Sequence, residues 1–549
     1  MKKLISNTLL MLAAGALAVS CADYNETNNF TAQPDPSIVE PYKDLAPVKT
    51  YLDREQFPNM TLGAQLLAAD FNKQELAHAA AITNFDNVAF GTSLMSGKII
   101  NARGVMNFLD MSDMLDHVEE IDGEVFGSPL FANANQADDW LNMLTAPIEI
   151  PVDFVEGKTV DYTTMSKFEG TVEGGSASIA KYDGENALKI GALGKVRIIE
   201  GFEVDPKAKY TTTFWAKADK DATFEVVFSG NKITGSGPNG KWTFKGGKWN
   251  KIVVEAQSAA GETEGYLRFE NGRSPVVYIQ KVEVGYYPDN HRPQTAQEII
   301  DTIDYAIHAW CDGLMDINKG RISSFDLIDE PIDTKAVLDN GMYDLNHSTE
   351  KIFWQDILGS EQYAPVVSRV ASAAFEEHGG NPAELRFFIS ESGLDSQQKF
   401  ESLMHWIGIW DKNGAKIDGI NAKLNLVYSE DATKQAANEA TLNRLLDNLV
   451  STGKLVRLSN FDIKYQDANG LAVSTSNISE VQRQQLANYY GAVIKTYLTR
   501  VPRDQQAGIC KGNLTDTGDP VGLWSVNKDT KDWVRTATYK AFCDALAGK

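Results

Sequence analysis

Cysteine and histidine are scarce in this sequence, and neither is spaced as a metal site. The 549 residues contain four cysteines and seven histidines, without a CxxC or HExxH pattern. The three cysteines that follow Cys21 are an odd number, so a disulfide framework is not indicated, although one pair could bridge. We therefore expect no metal site and no cofactor.

Two common catalytic motifs are also missing, and positive charge is in deficit. There is no GxxxxGK[ST] phosphate loop and no GxSxG elbow, which excludes the commonest nucleotide-binding and serine-hydrolase classes. The 52 Lys and Arg residues against 74 Asp and Glu leave a net charge of −22. Nucleic acid or an anionic membrane surface would be repelled, whereas neutral ligands such as sugars would not.

No hydrophobic run reaches the roughly 20 residues that a spanning helix needs. The longest N-terminal run, Leu9 to Val19, follows two lysines and ends in the sequence AVSC. This pattern predicts a secretory signal over residues 1–20 and resembles a bacterial lipobox, which implies that Cys21 is lipidated. Residues 21–45 would then tether a cell-surface lipoprotein to the outer membrane. The alternative is a simple secretory signal with an incidental cysteine.

Apolar residues make up 43 % of the chain, which is enough to form packed cores. The pattern of apolar and polar residues changes twice along the sequence. Short apolar runs alternate with helix-like stretches over residues 46–150 and again over residues 291–549. Residues 151–290 instead show short alternating runs broken by Gly and Asn turns, which is typical of an all-β jelly-roll sandwich. About eight βα units in total predict a (β/α)8 TIM barrel interrupted by this insert, with the eighth strand at Gly522 to Val526.

One predicted strand, in the sequence ISSFDLIDEP, ends abruptly in acidic residues. Phe325, Leu327 and Ile328 suit a strand that is buried on both faces. A carboxylate at the C-terminal end of a barrel strand lies where such barrels carry out their chemistry, so Glu330 is the first candidate for a functional residue. The alternative is that Asp329 and Glu330 only terminate the strand.

Three segments resemble glycoside hydrolase family ten, the retaining endo-β-1,4-xylanases. FDLIDEP is similar to the family pattern W-D-V-V-N-E, which implies that Glu330 is the general acid/base and that Asp329 replaces an Asn. VRLSNFDIKY is similar to I-x-I-T-E-L-D-I, which puts Asn460 at the place of the nucleophilic Glu. GLWSVNKDTKDWVR resembles W-G-x-x-D-x-x-S-W-R, which implies that Trp524 and Trp533 roof the sugar site.

Other stations of the resemblance are altered. The segment DGINAKLN aligns with D-G-I-G-x-Q-x-H, so that Lys423 stands at the Gln and Asn425 at the His that orients the nucleophile. The segment GSPLFAN, at residues 127–133, lacks the two histidines and the Trp of G-H-T-L-V-W-H. Six segments that would line one end of the barrel in this family are altered. Together these changes indicate that the site has diverged from the family pattern.

The inserted sandwich resembles the carbohydrate-binding modules that some gut Bacteroidetes xylanases carry between the third barrel strand and the third helix. Trp242, in a Gly-rich loop, and Tyr266, predicted to be exposed, are the candidate sugar-binding rings. Trp215 and Trp249 are predicted to lie in the core.

A retaining glycosidase needs two carboxyl groups about 5 to 5.5 Å apart, and an Asn amide cannot serve as the nucleophile. We therefore expect a surface lipoprotein that binds xylan-type polysaccharide for neighbouring glycan-uptake proteins. The alternative is an active glycoside hydrolase that uses Glu330 as acid/base with a relocated or absent nucleophile, for example an inverting arrangement involving Glu391 or Asp329. A structural subunit without glycan contact is a third possibility.

Overall fold

The computed structural model describes residues 42–119, 123–273, 275–288 and 290–549. The predicted signal segment, most of the predicted tether and Cys21 lie outside these residues. The chain divides into two compact units, one formed by Ala146–Gln294 and the other by the residues on either side of it. The predicted sandwich boundaries, residues 151 and 290, lie inside the first of these units.

The larger unit is a closed barrel whose sheet contains eight main parallel strands and the two-residue strand Phe131–Ala132, which pairs with the fourth of them. Each strand is short and mostly buried, as expected where helices cover a parallel sheet. The strands are β1 Leu62–Gln65, β2 Asn87–Ala89, β3 Glu124–Phe126, β4 Ser324–Asp329, β5 Arg386–Ser392, β6 Gly419–Lys423, β7 Leu455–Ser459 and β8 Gln506–Lys511. The predicted (β/α)8 barrel is therefore confirmed.

Two contacts close the barrel. Strand β8 pairs with β1 in the register that joins Ile509 to Leu62. Strand β3 meets β4 through a bridge between Gly127 and Phe325. A Cβ atom at Gly127 would lie 2.1 Å from the Phe325 ring, so only glycine allows these two strands to approach so closely.

The predicted eighth strand is wrong. Trp524–Val526 instead pairs with Trp533–Arg535 in a two-stranded antiparallel hairpin after β8. Strand β8 itself contains Gly508 at φ 118, and Ile509 and Cys510 are its strongest apolar signal. The sequence GLWSV predicts a strand because it contains large apolar residues, but its Leu and Trp side chains are buried outside the barrel sheet.

Besides the short helices Ala68–Phe71, Ser96–Ile99, Asp138–Leu144 and Trp354–Leu358, one main helix follows each of the eight strands. The main helices are α1 Leu76–Asn84, α2 Leu109–Glu119, α3 Ala296–Asn318, α4 Tyr363–Glu377, α5 Gln397–Lys412, α6 Ala432–Ser451, α7 Glu480–Arg500 and α8 Ala537–Leu546. Helix α3 begins with a capping box between Thr295 and Glu298. Within the described residues, none of the helices combines the length and the apolar character that membrane crossing requires.

The smaller unit consists of two antiparallel six-stranded sheets around their own core, which includes Phe214, Leu267 and Ile279. One sheet contains Val172–Gly174, Lys195–Glu203, Ala222–Phe228, Asn231–Ile233, Trp242–Phe244 and Glu264–Asn271. The other contains Val155–Asp161, Ala177–Tyr182, Glu185–Ile190, Lys209–Lys217, Asn250–Ala256 and Val277–Tyr287. A short ladder between Ile148–Glu149 and His291–Arg292 joins the two ends of the unit.

The three cysteines in the described residues, Cys311, Cys510 and Cys543, are buried free thiols. They belong to helix α3, strand β8 and helix α8, so each packs as a small apolar side chain. No pair of them forms a bridge.

Candidate functional site

A cleft of about 590 Å³ opens at the C-terminal ends of the barrel strands. The parallel register brings Asp329 beside Ser390, Ser392 beside Lys423, and Lys423 beside Ser459, so the ends of β4, β5, β6 and β7 meet at one edge. Four of the predicted site residues line this cleft: Asp329, Lys423, Asn460 and Trp533.

Glu330 directly follows β4 and has a left-handed backbone, with φ 49. This conformation is strained for a residue other than glycine, and such strain concentrates at functional positions. The Glu330 carboxylate accepts a hydrogen bond of 2.9 Å from the Ser392 hydroxyl and lies 3.2 Å from the Lys423 ammonium. Glu330 is therefore fixed by groups from β5 and β6.

A second carboxyl, that of Glu391 on β5, is hydrogen-bonded to Glu330 and is completely buried. Lys399, from the first turn of α5, lies 2.6 Å from Glu391. Burial raises the pKa of Glu391 to about 9, with the hydrogen bond and charge of Glu330 adding to the effect. The pair therefore keeps one proton at neutral pH, and Glu391 holds it.

Glu330 shows the opposite shift. Burial works to raise its pKa, but the hydrogen bond from Glu391, the charge of Lys423 and the hydrogen bond from Ser392 outweigh burial and lower the pKa to about 2. Glu330 is consequently an anion at neutral pH. A general acid must carry a proton at its working pH, so this environment is unfavourable for that role.

Lys423 forms an ion pair with Asp329 as well as with Glu330. The Ser390 hydroxyl donates a 2.5 Å hydrogen bond to Asp329. Burial opposes the charge of Lys423, but the two carboxylates overcome it and raise the pKa of the lysine. Lys423 thus stays charged and neutralises acids from the end of β4.

The end of β7 presents no carboxylate to the cleft. Asn460 directly follows the strand, is exposed and has φ 50, a conformation that Asn adopts more readily than most residues. The next acid along the chain, Asp462, is held by the Lys511 ammonium and by a 2.6 Å hydrogen bond from Asn513. A nucleophilic carboxylate is therefore missing on the β7 side.

Deeper in the cleft, Arg457 of β7 is 1 % exposed, and its guanidinium stacks 3.8 Å from the centre of the Phe126 ring. Its Nε and Nη1 atoms have no hydrogen-bond partner. Asp326 is also buried there and accepts hydrogen bonds of 2.9 and 3.1 Å from Asn421. Burial raises the pKa of Asp326 to about 7, with the charge of Asp329 adding to the effect.

Two predicted site residues lie elsewhere in the barrel unit. Trp524 is only 3 % exposed and packs against Tyr539 and Trp533 in the core, so the prediction that it roofs a sugar is wrong. The hairpin directs the Trp524 side chain into the core. Of the two tryptophans, only Trp533 lines the cleft. Asn425 is exposed and lines a separate cavity of about 110 Å³ beside β6.

In the sandwich unit, the prediction that Tyr266 is exposed is also wrong. The Tyr266 ring is 7 % exposed and lies under the Arg197 guanidinium, while its hydroxyl accepts a hydrogen bond from the Gly230 amide. Trp242 is half-buried against the sandwich core, and its indole N–H donates to the carbonyl of Ile233. Both rings are engaged within the fold.

A different set of aromatic rings lies on the outside of the sandwich. Trp215 alternates with buried Phe214 and therefore points away from the core, so its predicted core position is wrong. On the same sheet the Tyr182 and Tyr278 rings stack with their centres 3.9 Å apart. The Trp249 ring meets Tyr182 edge-on, and Trp249, predicted to be core, is also half-buried.

Sequence reasoning missed Lys399, Ser392 and Arg457. Lys399 and Ser392 come close to Glu330 and Glu391 only because β4 pairs with β5. This pairing cannot be predicted from the local sequence around any of these residues. Arg457 did carry a signal, because a basic residue in the middle of the apolar run LVRLS is unusual for a buried strand.

Residues 288–536 match the sequence model of glycosyl hydrolase family 10. Among solved structures, xylanase B from Clostridium stercorarium F9 is 10 % identical, with a TM-score of 0.50, over 91 % of this chain and all 100 % of that chain. A GH10 endoxylanase retrieved from a sugarcane soil metagenome is 9 % identical, with a TM-score of 0.51, over 91 % and 100 % of the two chains. At such identities the likeness shows the fold alone. No curated protein sequence matches the chain.

Proposed function

From a barrel with the (β/α)8 fold of glycosyl hydrolase family 10, we propose that the cleft binds xylan-type polysaccharide without cleaving it by the two-carboxylate mechanism. The observation that carries the proposal is Asn460 at the end of β7, where the resemblance places the nucleophile. An amide can neither form a glycosyl ester nor stabilise a developing positive charge as an anion does.

The state of Glu330 supports the same proposal. Its carboxylate is hydrogen-bonded to Glu391, paired with Lys423 and hydrogen-bonded to Ser392, and these contacts lower its pKa to about 2 against the effect of burial. A carboxylate locked in this way cannot protonate a leaving oxygen at neutral pH. Binding a sugar does not require a nucleophile or a general acid. The half-buried Trp533 ring can contact a sugar ring, and the amide and hydroxyl groups of the cleft can bind sugar hydroxyls.

The alternative, an active glycoside hydrolase, is favoured by one observation. Glu330 and Glu391 form a carboxyl pair whose pKa values are driven apart, which is a feature of acid/base sites. Glu391, however, is completely buried and accepts hydrogen bonds from the backbone amides of Ile332 and Ser392. It cannot reach a bound sugar without leaving those partners.

For the sandwich we propose a second glycan-binding region, centred on the outer-face rings of Trp215, Tyr182, Tyr278 and Trp249. Partly exposed aromatic rings with a polar edge suit the apolar faces of sugars. We further propose that lipidation of Cys21 tethers the protein to the outer membrane, facing the cell exterior beside glycan-uptake proteins. Loss of lipid labelling in the Cys21→Ala variant would test the anchor.

Two measurements with purified protein test the proposed function. Affinity electrophoresis in gels containing xylan, arabinoxylan, β-glucan or mannan should show retardation by xylan-type polymers, weakened in Trp533→Ala. Incubation with the same polymers should release no more soluble sugar than the Glu330→Gln variant does. Sugar release at ordinary enzyme concentration that Glu330→Gln abolishes would establish the hydrolase instead, and absence of retardation by every polymer would refute binding.

A further inference from the structure

The charged side chains that line the barrel cleft divide into those with a partner and one without. Among the described residues these are Asp70, Asp326, Asp329, Lys423 and Arg457. Asp70 pairs with Lys73, Asp326 with Asn421, and Asp329 with Lys423. Arg457 has no carboxylate within ion-pair distance and no hydrogen-bond acceptor for Nε or Nη1.

Leaving a guanidinium buried and unsatisfied is costly. Arg457 is 1 % exposed, so water does not replace the missing acceptors at Nε and Nη1. A buried donor without a partner costs about 1–3 kcal/mol, and more when it is charged. The Phe126 ring stacks on the guanidinium, which fixes its plane but supplies no hydrogen-bond acceptor. The charge of the nearby Asp326 carboxyl acts on Arg457, but no carboxylate of the described chain is hydrogen-bonded to its Nε or Nη1.

Neutral polar groups that line the same cleft as Arg457 are unsatisfied as well. The Ser128 hydroxyl and the Asn421 amide oxygen are buried without partners, and both residues line the same cleft. A hydroxyl can donate or accept, and an amide oxygen accepts, so the two together suit the hydroxyl groups of a sugar. A ligand that satisfies all three residues carries both an acidic group and hydroxyls.

From this juxtaposition we propose that the deep end of the cleft takes a uronic acid unit, whose carboxylate meets the Arg457 guanidinium while its hydroxyls meet Ser128 and Asn421. The inference rests on the proposed function and specifies its ligand class, since the polysaccharide that is bound is then an acidic one. Arginine is well suited to this role because its planar fork matches a carboxylate and always keeps its charge.

The overall charge of −22 does not oppose this assignment. Exposed charges farther away than the Debye length, about 8 Å at physiological ionic strength, are largely screened. Inside the cleft Asp329 is neutralised by Lys423, and burial raises the pKa of Asp326 to about 7, so that its negative charge is reduced at neutral pH. The local field at the guanidinium therefore remains favourable to an anion.

The test uses a matched pair of ligands and the full chain. Isothermal titration compares a xylo-oligosaccharide that carries one glucuronic acid with the same oligosaccharide after reduction of its carboxyl to an alcohol. We expect the acidic form to bind about tenfold more tightly or better, as a charge-assisted hydrogen bond implies. Arg457→Met should remove this preference for the acidic form, whereas Arg457→Lys should keep part of it.

The outcomes are distinguishable. Equal binding of the two ligands by the unaltered protein would refute the uronate site and leave the proposed function standing, and this comparison needs no variant that has to fold. Absence of binding by both would refute the two proposals together. Inorganic phosphate and acetate are the remaining probes, and either binding as tightly as the acidic sugar would show a general anion site and overturn the assignment.

Discussion

At the scale of single residues, Lys423 decides the state of the cleft. Its ammonium lies 3.2 Å from Glu330 and also pairs with Asp329, so one cation holds two carboxylates in their charged form. Glu330 has a strained left-handed backbone, with φ 49, at the position where its carboxylate lies beside this lysine. After the hydrogen bond from Glu391, the charge of Lys423 is the largest effect that lowers the pKa of Glu330 and makes it a poor proton donor.

Replacing Lys423 by Met should therefore raise the pKa of Glu330. An opposite charge at this distance shifts a carboxyl pKa by roughly one unit or more, so loss of the lysine should move the value upward from about 2 by at least that amount. NMR titration of carboxyl carbons in labelled glutamate measures the shift. Lys416→Met, which removes a cation that pairs with Asp418 just before β6, is the control and should leave Glu330 unchanged.

Sequence reasoning at this scale succeeded for residues at strand ends and failed for residues whose role depends on a partner. Asp329 was predicted because an acid that follows an apolar run stands out, whereas Lys423 and Asn460 were predicted only from the resemblance to glycoside hydrolase family ten. Trp524 and Tyr266 were misplaced because a large aromatic ring suits a core and a sugar site equally well. Only packing against Tyr539 or under Arg197 distinguishes these roles.

At the scale of elements, the pairing of β4 with β5 creates the Glu330–Glu391 carboxyl pair. Seven barrel strands followed from apolar runs with polar ends, but the pairing of carboxyls across strands could not be predicted, because residues 330 and 391 are far apart in sequence. The eighth strand was missed because Gln506–Lys511 has few large apolar residues, whereas the hairpin at Trp524 has several.

The carboxyl pair should make stability depend on pH. The pKa of Glu391 is about 9 in the folded state and near its ordinary 4.5 when unfolded, so the folded protein holds a proton that the unfolded chain releases. This contribution is complete below about pH 4.5 and is lost as the pH rises toward 9, by about 1.4 kcal/mol per pH unit.

Urea unfolding at pH 5, 7 and 9 measures this dependence in the unaltered protein and in Glu391→Gln. We expect the decline with rising pH to be smaller in the variant, because Gln cannot release a proton. Glu384→Gln, at an exposed position just before β5, is the control and should decline like the unaltered protein. Parallel curves for all three proteins would show that Glu391 is not protonated in the fold.

The closure of the barrel between β3 and β4 gives a second prediction at this scale. Gly127→Ala places a methyl group 2.1 Å from the Phe325 ring, so we expect it to lower the free energy of unfolding by about 1–3 kcal/mol. Gly408→Ala, in the middle of helix α5 where a Cβ meets no atom within 4 Å, should instead stabilise by about 0.5–1 kcal/mol. Thermal unfolding of both variants decides, and equal effects would contradict the close-approach argument.

At the scale of the whole molecule, the chain combines two units that each have a core. The unit Ala146–Gln294 has its own apolar cluster, and its ends are joined by the Ile148–Glu149 and His291–Arg292 ladder and by a 3.0 Å hydrogen bond from the Gln294 side chain to the Ala146 carbonyl. The sequence predicted such an insert because alternating strands and helices give way to short runs of alternating apolar and polar residues. Runs of this kind form a β-sandwich, which needs no helices and no contacts with the barrel.

Residues 146–294 expressed alone should therefore fold. We expect cooperative thermal unfolding and dispersed amide signals in NMR spectra, since a core and joined ends do not depend on the rest of the chain. An isolated segment without a cooperative transition would show that its core is insufficient by itself.

The most direct test of the central claim, that the cleft lacks a nucleophile, is a trapping experiment read by intact-protein mass spectrometry. A 2-deoxy-2-fluoro xylobioside with a dinitrophenyl leaving group needs no acid catalyst, so it isolates the nucleophilic step from the state of Glu330. We predict that the unaltered protein gains no glycosyl mass and that Asn460→Glu does. A covalent glycosyl adduct on the unaltered chain would contradict the account.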